Sequence, residues 1–147
     1  SMVAEQQDNF ALAESDLRSL LAQDDNNATV LNALGYTMIL HTDRMEEAYE
    51  LILRAYSLAP NEPSIIDSLG WVLFKLGRPV EALEYLTRAF AIVSDPEIAS
   101  HLGEVLWALE YNEKAMDVWL YALKENPNHT IILETMLRLG ANASIEP

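Results

Sequence analysis

Between Pro63 and Ser94 the apolar residues follow two helical patterns separated by a turn. Within each pattern they lie three or four positions apart, which places them on one face of a helix. Gly77 suits the end of the first helix and Pro79 the first turn of the second, and so short a link makes the two helices antiparallel. The two faces consist of Ile66, Leu69, Leu73 and Leu76, then Ala82, Leu83, Leu86, Ala89 and Phe90.

Small residues recur at matching points before and after this hairpin, at intervals of 33 to 35 residues. The recurring positions are Gly35, Gly70 and Gly103, then Ala48, Ala82 and Ala115, and finally Ala55, Ala89 and Ala122. A fixed interval of this length indicates stacked helical repeats. We therefore predict an all-α fold, an α-α superhelix that is a solenoid of antiparallel helical hairpins. We expect seven helices in antiparallel order.

Composition narrows the range of partners. The chain has 147 residues, with 9 basic and 23 acidic side chains and a formal charge of −14. This charge repels nucleic acids and anionic membranes, so we expect neither as a partner. Apolar runs fall short of the roughly 20 residues that cross a bilayer, so we expect no membrane insertion by this segment. No positively charged stretch followed by an apolar run opens the chain, so we also expect no leader sequence. Cysteine is absent from the sequence, which excludes disulfides and thiolate sites.

The repeated residues resemble the tetratricopeptide repeat family, whose unit of about 34 residues has a small residue in its first helix, two alanines in its second and a closing proline. The resemblance implies one solenoid domain over residues 1–147. It is divided into the second helix of a truncated repeat (4–25), three repeats (28–60, 63–94 and 96–127), a capping helix (130–140) and a frayed tail (141–147). The closing prolines are Pro60 and Pro127, while Ser94 replaces the proline of the middle repeat.

Two runs, DSLGWVLFKLGRPVEALEYL and HLGEVLWALEYNEKA, are similar to the carboxy-terminal repeats of bacterial tetratricopeptide lipoproteins. Such lipoproteins sit at the outer membrane and serve as periplasmic adaptors, including for carboxy-terminal processing proteases. This second resemblance implies a periplasmic or outer-membrane location, which nothing else in the sequence indicates.

Catalytic and metal-binding motifs are weak. His101 and Glu104 are three residues apart, the spacing at which a histidine and a carboxylate can share a metal ion. The pair occurs once and in reversed order, so we interpret His101 as a surface histidine beside an acid at the helix end. We predict a protein that is not an enzyme and that needs no cofactor or metal.

The family resemblance implies a partner-binding groove lined by four positions of each first helix. The candidate groove residues are Asn32, Tyr36, Ile39, Asp67, Trp71, Phe74, Ser100, Glu104 and Trp107; Thr29, Ser64 and Glu97 occupy the remaining positions. Some family members hold a terminal carboxylate with lysines and asparagines here. This chain has Asp67, Trp71 and Ser100 instead, which argues against such a clamp.

We expect Trp71, Phe74 and Trp107 to be exposed in this groove and to form one apolar strip with Tyr36, although packing between neighbouring helices is the alternative. The acidic groove residues predict a protein or peptide partner that carries basic and apolar residues.

Two functions therefore remain open. One is a groove that binds a protein or peptide, and the other is a stacking or oligomerisation element of a larger assembly. Residues 4–23 lack part of the cover that a complete repeat would give them, so we also expect weak self-association through this helix.

Overall fold

The computed structural model describes residues 2–141, and it describes side chains from residue 7 onward. Eight α-helices and no strand occur within this part of the chain. The predicted number of seven is wrong, because three complete hairpins supply six helices and the first and last helices each add one. The helices are α1 (Met2–Gln23), α2 (Ala28–His41), α3 (Met45–Leu58), α4 (Pro63–Lys75), α5 (Pro79–Ile92), α6 (Pro96–Ala108), α7 (Asn112–Glu125) and α8 (Thr130–Leu139).

The helices form three hairpins, α2–α3, α4–α5 and α6–α7, and each hairpin packs on the next. We call α2, α4 and α6 the A helices and α3, α5 and α7 the B helices. Successive A helices pack against one another, and α8 continues their row. The B helices lie on the outer side, where contacts between successive ones are few among the described residues. The solenoid therefore curves with the A helices inside, as the family resemblance implies.

The recurring glycines mark the points where the helices of a hairpin come closest. A Cβ atom on Gly35 would lie 2.6 Å from Ile52, and one on Gly70 would lie 2.7 Å from Leu86. At Gly103 it would lie 2.0 Å from the indole nitrogen of Trp119. Real carbon contacts are never this short, because close-packed atoms stay about 3.5–4.0 Å apart. The glycines therefore recur at this interval because the two helices of every hairpin need a residue without a side chain at their closest point.

On the outer side, an arginine in each of the first two hairpins contacts the loop that connects its hairpin to the preceding repeat. Arg54 of α3 donates to the carbonyl oxygen of Asp25 at 2.8 Å, and Arg88 of α5 donates to that of Pro60 at 2.8 Å. Each arginine thereby holds the loop that precedes its own hairpin. The equivalent position in α7 is Tyr121, whose ring meets Phe90 edge-on with centroids 6.0 Å apart.

Both chain ends depart from the expectations in detail. The first helix starts at Met2 instead of residue 4. Ala141, which we assigned to a frayed tail, is buried, and its N–H donates to the carbonyl oxygen of Met136 at 2.8 Å. Gly140 allows this by adopting a left-handed backbone, with φ of 75°. The rest of the predicted tail, residues 142–147, lies outside the described residues.

The first helix is attached to the solenoid by apolar and charged contacts. Phe10, Leu17 and Leu21 pack against the core. Beside them, the Glu14 carboxylate accepts hydrogen bonds from Arg44 at 2.9 Å and from Arg18 at 2.7 Å. The bond from Arg44, followed by that from Arg18, holds the pKa of Glu14 below its ordinary value.

This ion-pair network predicts a pH-dependent attachment of α1. The pKa of Glu14 is lower in the folded than in the unfolded chain, so its stabilisation is present above the ordinary value of 4.5 and is lost as pH falls through the lowered value. We expect Glu14→Gln to lower the opening free energy of α1 by about 0.5–1 kcal/mol at pH 6. Hydrogen-exchange protection of the α1 amides would measure it. Wild type and variant should converge once the pH lies below the lowered pKa of Glu14, and a difference that does not shrink as the pH falls would contradict the network.

Candidate partner-binding surface

A hydrogen-bonded chain crosses the three A helices on the inner side of the curve. The Nδ1–H group of His101 donates to Asp67 Oδ1 at 2.9 Å, and its Nε2 atom lies 3.4 Å from the Tyr36 hydroxyl. His101 is 7% exposed and Asp67 is 4% exposed. The interpretation of His101 as a surface histidine is therefore wrong. Its partners lie in the two preceding repeats, so the imidazole links α2, α4 and α6.

Glu104 is also paired with a neighbouring repeat. Its carboxylate accepts two hydrogen bonds from Arg138 of α8, one of them 3.1 Å long. Ser100 lies one turn earlier on the same helix and is bonded to Thr135 of α8 at 2.7 Å. Both predicted groove residues are buried, and they fasten α8 to α6. Glu104 is thus not a free acid at a helix end.

The aromatic strip is partly as predicted. Trp71 stacks on His101, with centroids 4.1 Å apart, and on Phe74 at 5.3 Å. The Lys75 ammonium group lies 4.8 Å from the Trp71 ring centroid. Trp71 is only 6% exposed, so the expectation that it is exposed in the groove is wrong. It packs between α4 and α6, which is the alternative reading of the sequence.

The other three aromatic residues predicted in the strip, Tyr36, Phe74 and Trp107, are half-buried. Tyr36 joins the strip through His101, with centroids 6.2 Å apart, whereas the aromatic neighbour of Trp107 is the buried Trp119 of α7, at 5.9 Å. We define the aromatic strip as Tyr36, His101, Trp71 and Phe74. Trp107 belongs to the α6–α7 packing instead, which corrects the predicted strip of four.

The nine candidate residues divide by burial. Five are buried, namely Ile39, Asp67, Trp71, Ser100 and Glu104. Four are half-buried, namely Asn32, Tyr36, Phe74 and Trp107. The half-buried residues retain surface that a partner can reach. Among them, the Asn32 side-chain oxygen is buried and has no hydrogen-bond partner among the described residues.

An acidic pocket opens beside Tyr36, between the first turns of α4 and α6. Its lining residues are Glu62, Pro63, Ser64, Asp67, Val93, Asp95, Glu97 and Ile98. Burial raises the pKa of Tyr36, and the neighbouring carboxylates of Glu97 and Asp67 raise it further. Lysine and arginine are absent from the lining, so the pocket has a negative potential.

Sequence reasoning missed two of these acids, Glu62 and Asp95, because both precede a helix instead of lying within one. Asp95 caps α6 by accepting a hydrogen bond from the Glu97 amide at 2.8 Å. An acid immediately before an N-terminal helical proline is the signal that could have revealed it.

Comparisons with known proteins identify the family to which this fold belongs. A tetratricopeptide repeat family model matches residues 2–63. A TPR repeat-containing protein of Pseudomonas aeruginosa is 46% identical over 104 residues, which are 71% of this chain and 18% of that protein. The type IV pilus assembly protein PilF of the same species is 31% identical over 99 residues, which are 65% of this chain and 39% of that protein. The chain thus spans less than two fifths of the length of these relatives.

Solved structures agree with these relatives. A thermophilic TPR protein from Thermus thermophilus superposes with a TM-score of 0.77 at 19% identity, over 95% of this chain and 76% of that one. The first TPR domain of RPAP3, solved with a bound HSP90 peptide, gives 0.68 at 20% identity, over 82% of this chain and 96% of that one. None of the helices in the described part of the chain is long and apolar enough to cross a membrane. The chain belongs to the tetratricopeptide repeat family, and it is a solenoid module of the kind that mediates contacts between proteins.

Proposed function

We propose that this chain is a non-enzymatic module that binds a segment of another protein on its inner surface, and that this segment carries both apolar and basic residues. The observation that carries the proposal is the position of the half-buried residues. Asn32, Tyr36, Phe74 and Trp107 lie on three successive A helices. An acidic pocket opens beside Tyr36 at the first turns of α4 and α6.

The apolar part of the recognition rests on Phe74. Its ring is half-buried and lies against Trp71, which is itself fixed by stacking on His101. A partially exposed ring on a rigid support loses little conformational freedom when a ligand covers it. Aromatic residues of this kind are frequent hot spots of protein interfaces.

The basic part rests on the acidic pocket. Arg138 neutralises Glu104, and Asp67 is buried against His101. The acidic residues that remain available to a ligand are therefore Glu97, together with Glu62 and Asp95 at the pocket mouth. A lysine or arginine of the ligand would enter a negative potential that no side chain of the pocket lining offsets. Such complementarity favours the correct partner and accelerates its association.

Replacing Phe74 tests this proposal. We expect Phe74→Ala to weaken partner binding by about tenfold or more, which corresponds to about 1.4 kcal/mol. The partner would first be captured with the full chain and identified by mass spectrometry, and its affinity would then be measured by calorimetry. Tyr121→Ala is the matched control, because Tyr121 is an aromatic residue that is 58% exposed on the outer helix α7. Equal losses for both variants, or a loss for Tyr121→Ala alone, would place binding elsewhere.

Within this function we propose an adaptor role for a periplasmic carboxy-terminal processing protease. Its support is the resemblance of the two central runs to bacterial tetratricopeptide lipoproteins, together with the 46% identity to a TPR protein of a bacterium. A protease of this class should co-purify with the chain and be lost with Phe74→Ala. Capture of other components of a multi-repeat assembly, unaffected by Phe74→Ala, would favour the stacking role instead.

A further inference from the structure

An apolar pocket opens on the outer side of the solenoid, at the joint between the second and third hairpins. Its volume is about 410 Å³, and the side chains that line it come from α5, α6 and α7. The buried Leu102 and Leu106 of α6 form its base. Phe90 of α5 and Val118 of α7 line its two walls. All three helices belong to complete hairpins, so the pocket is formed by internal repeats alone.

The corresponding place in the joint between the first and second hairpins is filled. The repeat interval relates Val118 to Tyr85 and Phe90 to Tyr56. The Tyr85 ring meets the Tyr56 ring edge-on, with centroids 5.8 Å apart. The guanidinium carbon of Arg88 lies 5.5 Å from the Tyr56 centroid and 5.9 Å from that of Tyr85. A tyrosine of the second B helix therefore closes the first joint against its aromatic neighbour.

Valine in place of this tyrosine leaves the second joint open. Val118 lacks the ring, so the side of Phe90 that faces it borders the pocket. Tyr121 meets Phe90 at 6.0 Å between centroids, but it occupies the position of Arg88 in the repeat and not that of Tyr85. The pocket therefore keeps an aromatic wall that can receive another ring.

We propose that this pocket binds an uncharged aromatic side chain, of the size of tyrosine, from a partner protein that docks on the outer surface. The first joint shows how such a ring would enter, between two B helices and edge-on to the aromatic residue of the preceding one. Pairs of rings in this arrangement are favourable at centroid distances of about 4.5–7 Å, and an aromatic side chain buries about 150–250 Å². The site is separate from the proposed inner binding surface and does not depend on it.

The charges around the pocket favour an uncharged ligand. Its charged lining residues are Lys114 and Asp117, which are exposed and of opposite sign. Lys114 stands where the preceding repeat has Glu81, so the lining has no net charge although the whole chain carries −14. A lysine or arginine of a partner would lose hydration here without a compensating field. This pocket therefore differs in its ligand from the acidic pocket beside Tyr36.

The test is an NMR titration of the full chain with a capped tripeptide that has tyrosine between two glycines. We expect saturable shifts of the amide signals of Leu83, Phe90 and Val118, which line the pocket. Tripeptides with leucine or lysine in the centre should bind more weakly by about tenfold or more. Val118→Tyr should fill the pocket with the residue of the preceding repeat and weaken binding of the tyrosine peptide by about tenfold or more. Phe74→Ala is the matched control, because it removes a ring from the inner surface and should leave this titration unchanged.

The first joint provides the reciprocal variant. Tyr85→Val should open the equivalent pocket, so that a second set of peptide-dependent shifts appears at Tyr49 and Tyr56. Circular dichroism checks that both variants are folded, and Tyr85→Val decides the outcome by itself if Val118→Tyr does not fold.

Other outcomes overturn the proposal. A titration without saturable shifts at the pocket, or with shifts confined to the inner aromatic strip, removes the site. Equal affinity for the leucine peptide removes the preference for a ring. Unchanged binding by a folded Val118→Tyr, or no second set of shifts in a folded Tyr85→Val, places the peptide elsewhere. Binding of p-cresol without binding of the tyrosine peptide restricts the pocket to small molecules and excludes a partner protein.

Discussion

Trp71→Ala is expected to destabilise the chain by about 3–5 kcal/mol, the usual cost of truncating a buried tryptophan. The ring is 6% exposed and lies between His101 and Phe74, with centroids 4.1 Å and 5.3 Å away. Its removal leaves a cavity between α4 and α6 and exposes the buried His101–Asp67 hydrogen bond to water. Urea denaturation followed by circular dichroism would measure the loss of unfolding free energy.

Two other aromatic residues serve as controls for this substitution. Trp107 is half-buried, so Trp107→Ala should cost less than Trp71→Ala. Tyr121 is 58% exposed, and its replacement should have an effect within about 0.5 kcal/mol. If Trp71→Ala lowers the unfolding free energy no more than the Tyr121 replacement does, the Trp71 ring is exposed on the groove surface and is not part of the core. Binding measured on the folded fraction separates the two roles, because a purely structural Trp71 leaves the affinity unchanged.

The second large effect is expected for Gly103→Ala, at about 3 kcal/mol, the upper end of the usual range for overpacking. The new methyl carbon would lie 2.0 Å from Trp119 Nε1 and 2.3 Å from Cε2. Trp119 is fully buried, and its rigid double ring cannot withdraw without separating α6 from α7. Alanine would otherwise gain up to about 1 kcal/mol of helix propensity over glycine, so any net loss reports the clash.

The chain contains its own controls for this clash. Gly35→Ala and Gly70→Ala meet Ile52 at 2.6 Å and Leu86 at 2.7 Å, and these aliphatic side chains can relax by rotation. We expect smaller losses there than at Gly103. Trp119→Leu restores the residue of the middle repeat and should relieve part of the cost of Gly103→Ala in the double variant. Strictly additive effects of the two substitutions, or equal losses at all three glycines, would contradict the explanation.

The repeat architecture was readable from the sequence because it follows from local rules. Glycine and alanine recur where two helices touch, so Gly35 and Ala48 predict a hairpin without knowledge of any distant contact. The family assignment confirmed this fold. The assignment of partner-binding roles to Asn32, Phe74 and Trp107 stays a prediction, because no partner has been observed on these residues.

The polar contacts between repeats could not be predicted from the recurrence of residues along the sequence. Asp67 and His101 are 34 residues apart, as are Glu104 and Arg138. Periodicity places each residue on a face of its own helix, but it does not say how neighbouring A helices are rotated against each other. A residue such as His101 therefore looks isolated within its repeat, although it is bonded to the preceding one. The same ambiguity made Trp71 resemble a groove residue.

The arginine contacts of the outer surface have a consequence for the mechanics of the solenoid. Arg54 and Arg88 tie the loops at Asp25 and Pro60, whereas α7 has Tyr121 at the equivalent position and contributes only an aromatic contact with Phe90. In a chain of repeats that touch only their neighbours, compliance is a property of each joint. Tension along the superhelix should therefore first separate the outer side of the joint between the second and third hairpins, while the buried His101–Asp67 hydrogen bond between α4 and α6 keeps its inner side closed.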